Sequence, residues 1–552
     1  MAIAPPPRPA PLVQRRRAFH GTLVHALSLT DTEYLHDALI GVDEAGVIAF
    51  VDKSVSAAEV EDRLDERGWG QAQVVRLVKG EFLMPGLIDT HVHGPQFVNL
   101  SYGQEFELLD WLDKVTFPAE AKFADVAYAR RTYEDVVDRL INSGTTTACL
   151  YGTLHRQSSK ILAAICHRRG QRAFVGKCNM DRNSPSTYSE TSTERSLADT
   201  EDFVTFVRER CDSPCPASSA IPSIKRSGAP TSLVQPILTP RFAISCTDEC
   251  LQGLGEMMDR DEHLPLQTHL AENPSEVQFA LSLYPGVSSY TAAYDRFRLL
   301  RRNTVLAHCV HLSDDELDLI KARNSGISIC ADSNFNLRSG TARVTDMLDK
   351  GIKVGLGTDV SGGLSLGILS AIRATSTASK TICFHKRDSP SSSPSTTSTT
   401  PSEQAVGPDG VSRPAGFFAG KHLSLSALFY LATLGGAQVA NVDERVGNFV
   451  VGKEFDALLV QTAASSSSSP RGSSATSNGE TGEHAFEDEL RTALEGSMDE
   501  QRGEAYNPAL LTSEDEAIER VFEKFLFSGD DRNLGSVFVR GRVIGGARPL
   551  AE

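Results

Sequence analysis

The chain has 552 residues, 40% hydrophobic and 23% charged, an ordinary composition for a globular protein with one large domain and a smaller one. Its 55 basic and 71 acidic residues give a formal net charge of −16, which argues against nucleic acid or an anionic membrane as the main partner. The sequence has no apolar run of about 18 residues and no secretory signal, so we expect a cytoplasmic protein.

The first part of the chain indicates a small β domain. Residues 1–17 are predicted to be disordered, and residues 18–83 contain short β-type runs separated by turns. The next strand, Met84–His93, is apolar after a Pro-Gly turn and ends in His91 and His93. Side chains two positions apart on a strand share a face, so these imidazoles form a candidate pair of metal ligands.

Strands and helices alternate after His93, which is typical of a parallel sheet. With Met84–His93, the sequence predicts eight strand–helix units, the count of a (β/α)8 TIM barrel, over residues 84–384. Chemistry in such a barrel belongs at the carboxyl ends of the strands. The remaining strands are predicted at Gly144–Tyr151, Gln171–Met180, Val234–Phe242, Leu264–Glu272, Thr304–Val310, Ile327–Asp332 and Lys353–Asp359.

Three segments interrupt this pattern, at residues 213–232, 385–420 and 462–517. They are rich in Ser, Thr, Pro or Gly, or acidic, and such compositions cannot bury a core, so we predict disordered insertions.

Order is predicted to return between and after the insertions. Residues 421–444 form an amphipathic helix that ends near Gly435 and Gly436 and lies beside the barrel. Residues 445–552 resume the β pattern outside their insertion. The overall fold class is therefore α/β, with a small β-sandwich-like domain formed by both chain ends.

Further predicted strand ends carry side chains of the metal-ligand type. The fifth strand delivers His269, the sixth His308 and the eighth Asp359 to the rim that holds His91 and His93. Any one alone fits a structural role, such as a core histidine or a helix cap. Together they predict a metal site. Imidazole and carboxylate ligands without a thiolate suit catalytic zinc with an open water position.

Two carboxylates are placed for acid–base chemistry at such a metal. Zinc lowers the pKa of bound water from about 15.7 to about 7, and Asp359 can take the water proton. Glu272, three residues after His269, can protonate a ring nitrogen of a substrate. The alternative for Glu272 is a surface glutamate at a helix start.

The cysteines offer a weaker metal pattern. Ten are scattered along the chain, and Cys211 and Cys215 share the C-x3-C spacing with Cys246 and Cys250. The first pair falls in a Pro/Ser-rich loop and the second begins a helix. Free buried thiols in a reducing compartment are therefore favoured over a second zinc site.

These motifs resemble the amidohydrolase superfamily, in its mononuclear zinc branch that deaminates purines and pyrimidines. Longer runs resemble the members that act on guanine, over nearly all of the chain outside the insertions. The runs are Pro85–Phe97, Trp111–Glu120, Gly144–Cys149, Gln171–Lys177, Thr239–Phe242, His269–Glu272, Gly355–Gly363, Leu431–Ala437 and Phe527–Asn533.

The resemblance implies hydrolysis of guanine to xanthine and ammonia by a homodimer with one Zn²⁺ per chain. It assigns zinc binding to His91, His93, His269 and Asp359, with His308 orienting the water or completing the shell. It assigns guanine binding to Gln96, Arg241 and Phe242, and proton transfer to Glu272, with His269 and Asp359 also facing the substrate. An arginine suits the carbonyl of guanine, an amide suits its edge, and an aromatic ring can stack on its face.

Two further features bear on this resemblance: the number of metal ions and one departure on the seventh strand. Two-metal members use a carboxylated lysine, but the fourth strand has no lysine and Lys177 precedes the end of the third, which favours one metal. On the seventh strand, Ile329 and Asp332 replace a polar and an amide residue, which leaves the pocket shape at that rim open.

Alternative functions remain. A triazine chlorohydrolase, an adenosine-type deaminase or a cytosine deaminase would share the metal residues and Glu272, so Gln96, Arg241 and Phe242 discriminate among them. An inactive relative acting as a scaffold would not need the intact ligands or Glu272.

Overall fold

The computed structural model describes residues 14–212, 230–388, 404–462 and 516–550, together with 507, 510, 512 and 513. Of residues 1–17, which are predicted to be disordered, residues 1–13 lie outside these ranges, whereas residues 14–17 are described and Arg17 begins the first strand. Residues 213–229, 389–403 and 463–506 also lie outside these ranges; they make up most of the first and third predicted insertions but less than half of the second.

The strands alternate with helices through the middle of the chain, which confirms the α/β class. In chain order the strands are β1 (Arg17–Ala26), β2 (Thr32–Val42), β3 (Ile48–Asp52), β4 (Gln73–Arg76), β5 (Glu81–Pro85), β6 (Leu87–His93), β7 (Thr145–Tyr151), β8 (Arg172–Gly176), β9 (Cys178–Asn179), β10 (Val234–Pro236), β11 (Thr239–Pro240), β12 (Leu266–Leu270), β13 (Thr304–His308), β14 (Gly326–Ile329), β15 (Lys353–Leu356), β16 (Gln404–Val406), β17 (Ser412–Pro414), β18 (Ala457–Gln461), β19 (Leu534–Val539) and β20 (Arg542–Gly545).

The helices follow the same order. They are α1 (Val60–Glu66), α2 (Leu108–Trp111), α3 (Phe117–Ala121), α4 (Val126–Asn142), α5 (Arg156–Arg169), α6 (Thr193–Arg210), α7 (Asp248–Arg260), α8 (Pro274–Leu283), α9 (Tyr290–Arg296), α10 (Asp314–Arg323), α11 (Ala331–Asn336), α12 (Val344–Asp349), α13 (Ile368–Asp388), α14 (Leu425–Tyr430), α15 (Gly436–Val439) and α16 (Ile518–Ser528). Short 3₁₀ turns occur at Gly94–Asn99, Lys122–Ala124, Ala243–Ser245 and Asp531–Asn533, and π turns at Leu112–Thr116 and Leu431–Gly435.

Strands from both chain ends pair in one eight-stranded sheet. Its order is β20-β19-β18-β5-β1-β2-β3, with β4 beside β1. The antiparallel pair of β5 and β18 joins the two ends of the chain, with Met84 opposite Leu458. Three aromatic rings pack on this sheet: Phe19 lies 5.1 Å from Phe455 and 5.4 Å from Phe538 between ring centroids.

The strands of the middle region are parallel and carry the candidate ligands. One sheet has the order β10-β8-β7-β6 and another has the order β12-β13-β14-β15. A parallel bridge pairs Leu238, two residues after β10, with Leu266, the first residue of β12. Strand β15 lies beside β6, because Oγ1 of Thr90 donates to the carbonyl of Leu356 at 2.8 Å. The carboxyl ends of β6, β12, β13 and β15 therefore meet at one rim.

A buried ionic cluster connects the parallel strands with the sheet from the chain ends. Arg172, on β8, binds Asp456 and Glu454 with N–O distances of 2.8 and 2.9 Å. Arg445 and Arg540 each bind Glu454 at 2.8 Å. We call these five residues the arginine cluster. All five are buried, and the ion pairs between the three arginines and the two carboxylates lie within the protein.

The segment 385–420 differs from its prediction as a disordered insertion. Helix α13 runs to Asp388, and β16 and β17 form an antiparallel pair. Asp409, at the turn of this hairpin, pairs with Arg413 and accepts a hydrogen bond from the amide of Leu29 at 2.9 Å. The Ser/Thr-rich composition ends before this hairpin, whose Gly-Pro-Asp-Gly sequence is a strong turn signal.

The helix predicted over 421–444 also differs, since the glycines do not end it. Its π turn passes directly into α15, and the helical run continues to Val439. A Cβ on Gly435 would lie 2.6 Å from the carbonyl oxygen of Val354, and one on Gly436 would lie 2.9 Å from Cβ of Ile88. These glycines let the helix approach β15 and β6 closely instead of stopping it.

Within the described ranges, none of the helices combines the length and apolar character needed to cross a membrane.

Candidate active site

Four histidines converge where the parallel strands end. The ring of His91 lies 4.9 Å from that of His93, 4.7 Å from that of His269 and 5.4 Å from that of His308, between centroids. The alternation of the strand explains the first pair, because His91 and His93 share one face of β6. His269 on β12 and His308 at the end of β13 reach the same point from adjacent parallel strands.

Asp359 completes this group. Its Oδ1 lies 3.1 Å from Nε2 of His91 and 3.4 Å from Nε2 of His93, and its Oδ2 lies 3.8 Å from Nε2 of His308. The nearest ligand atoms of His91, His269, His308 and Asp359 all lie within 4.8 Å of one another. The five residues predicted as metal ligands are thus brought together, and we call them the strand-end cluster.

The polar atoms of the strand-end cluster are not satisfied by each other. Both ring nitrogens of His91, Nδ1 of His93 and Nε2 of His308 are buried without a hydrogen-bond partner among the described residues. Nε2 of His93 faces Nε2 of His269 at 3.1 Å. Buried polar atoms normally have partners, so these nitrogens are available as ligands for a metal ion.

The protonation states fit a metal as well. Burial lowers the pKa of His91, His93 and His269, which keeps these imidazoles neutral and able to donate a lone pair. Burial alone would raise the pKa of Asp359, but His91 and the other histidines outweigh it and hold that pKa well below its usual value. Neutral imidazoles with an ionised carboxylate and no thiolate form a donor set that suits zinc.

Two hydrogen bonds, each to the Nδ1 atom of a ring, orient the imidazoles of His269 and His308. Nδ1 of His269 lies 2.6 Å from the carbonyl oxygen of Arg241, and Nδ1 of His308 lies 2.9 Å from Oδ1 of Asn334. Each oxygen requires a proton on Nδ1, which leaves Nε2 with its lone pair toward the cluster. Asn334 was not identified from the sequence, because it acts through a contact with another side chain and does not lie at the end of a strand.

Glu272 lies at the edge of the strand-end cluster. It is 2% exposed, so the alternative of a surface glutamate is wrong. Its Oε2 lies 3.3 Å from Nε2 of His308, and its Oε1 accepts a hydrogen bond from Oγ of Ser339 at 3.2 Å. Burial raises the pKa of Glu272 to about 7. A carboxyl group with this pKa can both give and take a proton near neutral pH.

A cavity opens onto the cluster and Glu272. Gln96, Arg241 and Phe242, the predicted substrate residues, all line it. An apolar wall that was not assigned from the sequence faces them. The full lining is His93, Gln96, Leu108, Trp111, Leu112, Arg241, Phe242, His269, Glu272, Glu276, Leu337 and Asp359.

Arg241 and Gln96 share a buried partner that the sequence analysis did not assign. Glu120 binds Nη1 of Arg241 at 2.7 Å and Nε2 of Gln96 at 2.9 Å. Arg241 also lies over the ring of Phe117, 5.1 Å from its centroid. The polar side of the cavity is therefore held by a network and not by isolated side chains.

The departures noted on the seventh strand lie away from the cavity lining. Ile329 is a buried residue of β14. Asp332 accepts a hydrogen bond from the amide of Leu364 at 2.9 Å, and burial raises its pKa. Both replacements are thus accommodated by local packing behind the rim.

The cysteine pattern does not produce a comparable site. Cys246 and Cys250 lie near Asp181, but Thr247 donates to that carboxylate from its amide at 2.8 Å and from its hydroxyl at 2.6 Å. Asp181 is therefore already satisfied. The described cysteines are free, and Cys215 lies outside the described residues.

Comparison with known proteins gives a consistent result. The model of the amidohydrolase family matches residues 82–397. Guanine deaminase of Dictyostelium discoideum is 37% identical over 96% of this chain and 98% of its own length. Guanine deaminase of Rattus norvegicus is 35% identical over 95% and 96%. The crystal structure of guanine deaminase from C. acetobutylicum with bound guanine has a TM-score of 0.72 at 29% identity, covering 96% of this chain and all (100%) of that one.

Proposed function

This chain belongs to the amidohydrolase family, and from that premise we propose that it hydrolyses guanine to xanthine and ammonia. The observation that carries the proposal is the single cavity in which the strand-end cluster and Glu272 face Gln96 and Arg241. The relatives named guanine deaminase, which match the chain over nearly its whole length, support the same substrate.

We propose one zinc ion per chain at the strand-end cluster. His91, His93, His269 and Asp359 would hold it, and His308 would complete the shell or orient the attacking water. The unpartnered nitrogens and the lowered pKa of His91, His93 and His269 support this assignment. When bound, zinc supplies a water that is activated for attack at neutral pH.

The chain's own residues would bind the base and move the protons. Arg241 would donate to the carbonyl of guanine, Gln96 would bind its polar edge, and the ring of Phe242 would stack on its face. Asp359 would accept a proton from the attacking water. Glu272 would protonate a ring nitrogen, the proton of the newly formed hydroxyl group would pass to the departing amino group, and the proton held by Asp359 would return to Glu272. A C–O bond forms, the exocyclic C–N bond breaks, and ammonia leaves.

The frame that we propose for this site is a closed (β/α)8 barrel with a small domain from both chain ends. The parallel pairing on either side of Leu238 and Leu266, and the contact of β15 with β6, support closure. The shared eight-stranded sheet supports the small domain.

We also propose a cytoplasmic homodimer. Free thiols throughout the described residues are consistent with a reducing compartment. The dimer rests on the family resemblance alone, and sedimentation of the purified chain tests it.

The test of the function is turnover by the purified full-length chain with its metal content measured. We expect one zinc per chain and conversion of guanine to xanthine with release of one ammonia. Adenine, adenosine, cytosine and a chloro-s-triazine complete the substrate panel. Turnover of one of these compounds with none of guanine would overturn the substrate and favour another deaminase or a chlorohydrolase of the family.

A further inference from the structure

Glu120, in α3, lies behind the cavity and is fully buried. It is not part of the cavity lining and does not bind the strand-end cluster. Both of its carboxylate oxygens are nevertheless occupied. Oε1 accepts from Nε2 of Gln96 at 2.9 Å, and Oε2 accepts from Nη1 of Arg241 at 2.7 Å and from the hydroxyl of Tyr188 at 2.6 Å.

These contacts determine which way the Gln96 amide faces. Its nitrogen donates to Glu120, while its oxygen accepts a hydrogen bond from the amide of Ser361 at 3.2 Å. If the amide turned over, its oxygen would face a carboxylate and its nitrogen would face an N–H donor. Glu120 and Ser361 together leave one stable orientation, and with it one pattern of donors and acceptors toward the cavity.

The same carboxylate restrains Arg241. Glu272 and Asp359 line the same cavity as this arginine, and an unrestrained guanidinium could pair with either of them. Glu120 offers a closer partner on the other side, and the cation also lies over Phe117. One guanidinium nitrogen is committed to Glu120, so Arg241 stays beside the base and away from the proton-transferring carboxylates.

We propose that Glu120 is a positioning residue that sets the specificity for guanine, by holding Arg241 and Gln96 in one fixed arrangement. This rests on the proposed function. Guanine presents a carbonyl oxygen and an adjacent N–H edge, so recognition needs a donor and an amide at fixed separation. The Glu120 carboxylate lies behind the cavity and cannot contact guanine itself. It acts through Arg241 and Gln96, the two side chains that line the cavity.

The test compares Glu120→Gln with two controls in the zinc-loaded full-length enzyme. The amide of Glu120→Gln has one oxygen, so either Gln96 or Arg241 meets a donor in place of an acceptor. We expect KM for guanine to rise about 10- to 100-fold, as for a lost polar contact to substrate, with a smaller fall in kcat. Zinc content should not change.

Two controls separate positioning from stability. Tyr188→Phe removes the third hydrogen bond to the Glu120 carboxylate but keeps Gln96 and Arg241 in place, so KM should stay within about threefold. Glu190→Gln alters another buried glutamate, which binds Lys177 and the amide of Met180. It should lower Tm without raising KM for guanine.

A double-mutant cycle tests the route of the effect. If Glu120 acts through Arg241, Glu120→Gln should change KM less in an Arg241→Met background than in the wild type. Glu120→Asp keeps the charge and should recover part of the wild-type KM. It also serves as the test variant if Glu120→Gln does not fold, and in that role we expect its KM to lie about 10-fold above that of the wild type.

An unchanged KM in a folded Glu120 variant would overturn the positioning role, and so would equal, additive effects in the cycle. Failure of the proposed function is a separate result, because it appears as absent guanine turnover in the wild type.

Discussion

The strand-end cluster and the arginine cluster are both buried groups of charged or titratable side chains, but they differ in how their polar atoms are satisfied. In the arginine cluster, Glu454 binds three arginines with its two oxygens, and Arg172 also binds Asp456. Of its side-chain nitrogens, Nη1 of Arg172 lacks a partner among the described residues. In the strand-end cluster, several imidazole nitrogens lack a hydrogen-bond partner among the described residues.

This difference indicates what each cluster is for. A buried polar atom without a partner costs about 1–3 kcal/mol, so a fold that keeps several together is arranged for something that binds there. The arginine cluster keeps one such atom, Nη1 of Arg172, and it joins the parallel strands to the sheet from the chain ends. Burial alone therefore does not identify an active site; burial with unsatisfied ligand atoms does.

The largest expected effect comes from Glu272, at the edge of the strand-end cluster. Glu272→Gln keeps the shape of the side chain but removes its ability to transfer protons. Turnover of guanine should fall on the order of 10³-fold, as expected for loss of a general acid–base group. Steady-state kinetics with metal analysis of the same sample measures this.

The zinc content of Glu272→Gln is the internal control. We expect it to equal that of the wild type, because the five residues of the strand-end cluster remain. Loss of the metal in this variant would contradict the division between metal-binding and proton-transferring residues.

Glu454→Gln tests the opposite region and should affect stability instead. The change leaves three buried arginines with one full carboxylate, and breaking a buried ionic cluster typically costs about 3–5 kcal/mol. We expect the free energy of unfolding in urea to fall by about that amount. The kcat of the folded enzyme and its zinc content should not change. A normal stability with a reduced kcat would break the distinction between the clusters.

The sequence predicted the strand-end cluster well for a physical reason. Parallel strands bring their carboxyl ends to one edge, so a residue's position at a strand end is enough to place it. His91, His93, His269, His308 and Asp359 were all found in this way, from four separate strands.

Residues that bind other side chains could not be found by that reasoning. Glu120 lies 121 positions from Arg241, and Arg172 lies 284 positions from Asp456, so no local spacing connects them. Asn334, in α11, depends on a contact with His308 at the end of β13, 26 positions away. The hairpin of β16 and β17 was missed for another reason, because composition was averaged over a longer Ser/Thr-rich segment that ends before it.

Asn334→Leu should have an intermediate effect. It removes the oxygen that fixes the proton on Nδ1 of His308, so the ring can adopt the other tautomer and turn its lone pair away from the cluster. Loss of such a supporting contact typically reduces metal affinity or activity about 10- to 100-fold. Competition with a zinc chelator and steady-state kinetics both measure it. Unchanged values in both assays would show that His308 does not need this orientation.

The smallest expected effect is on the pH dependence of the free energy of unfolding. It tests the contrast between the two clusters at Glu454, in the arginine cluster. Burial alone would raise the pKa of Glu454, but Arg172, Arg445 and Arg540 hold it well below its usual value. The stability it contributes is therefore complete above the unfolded pKa of about 4.3 and is lost as pH falls toward the folded pKa. One carboxylate contributes at most about 1.4 kcal/mol per pH unit to this slope.

Comparison of wild type with Glu454→Gln isolates that contribution, because the other acidic groups titrate in both proteins. Below about pH 4 the free energy of unfolding should fall less steeply in the variant than in the wild type. Equal slopes would mean that Glu454 is not held ionised by its arginines. The arginine cluster would then resemble the strand-end cluster, as a buried group whose polar atoms are not satisfied within the protein.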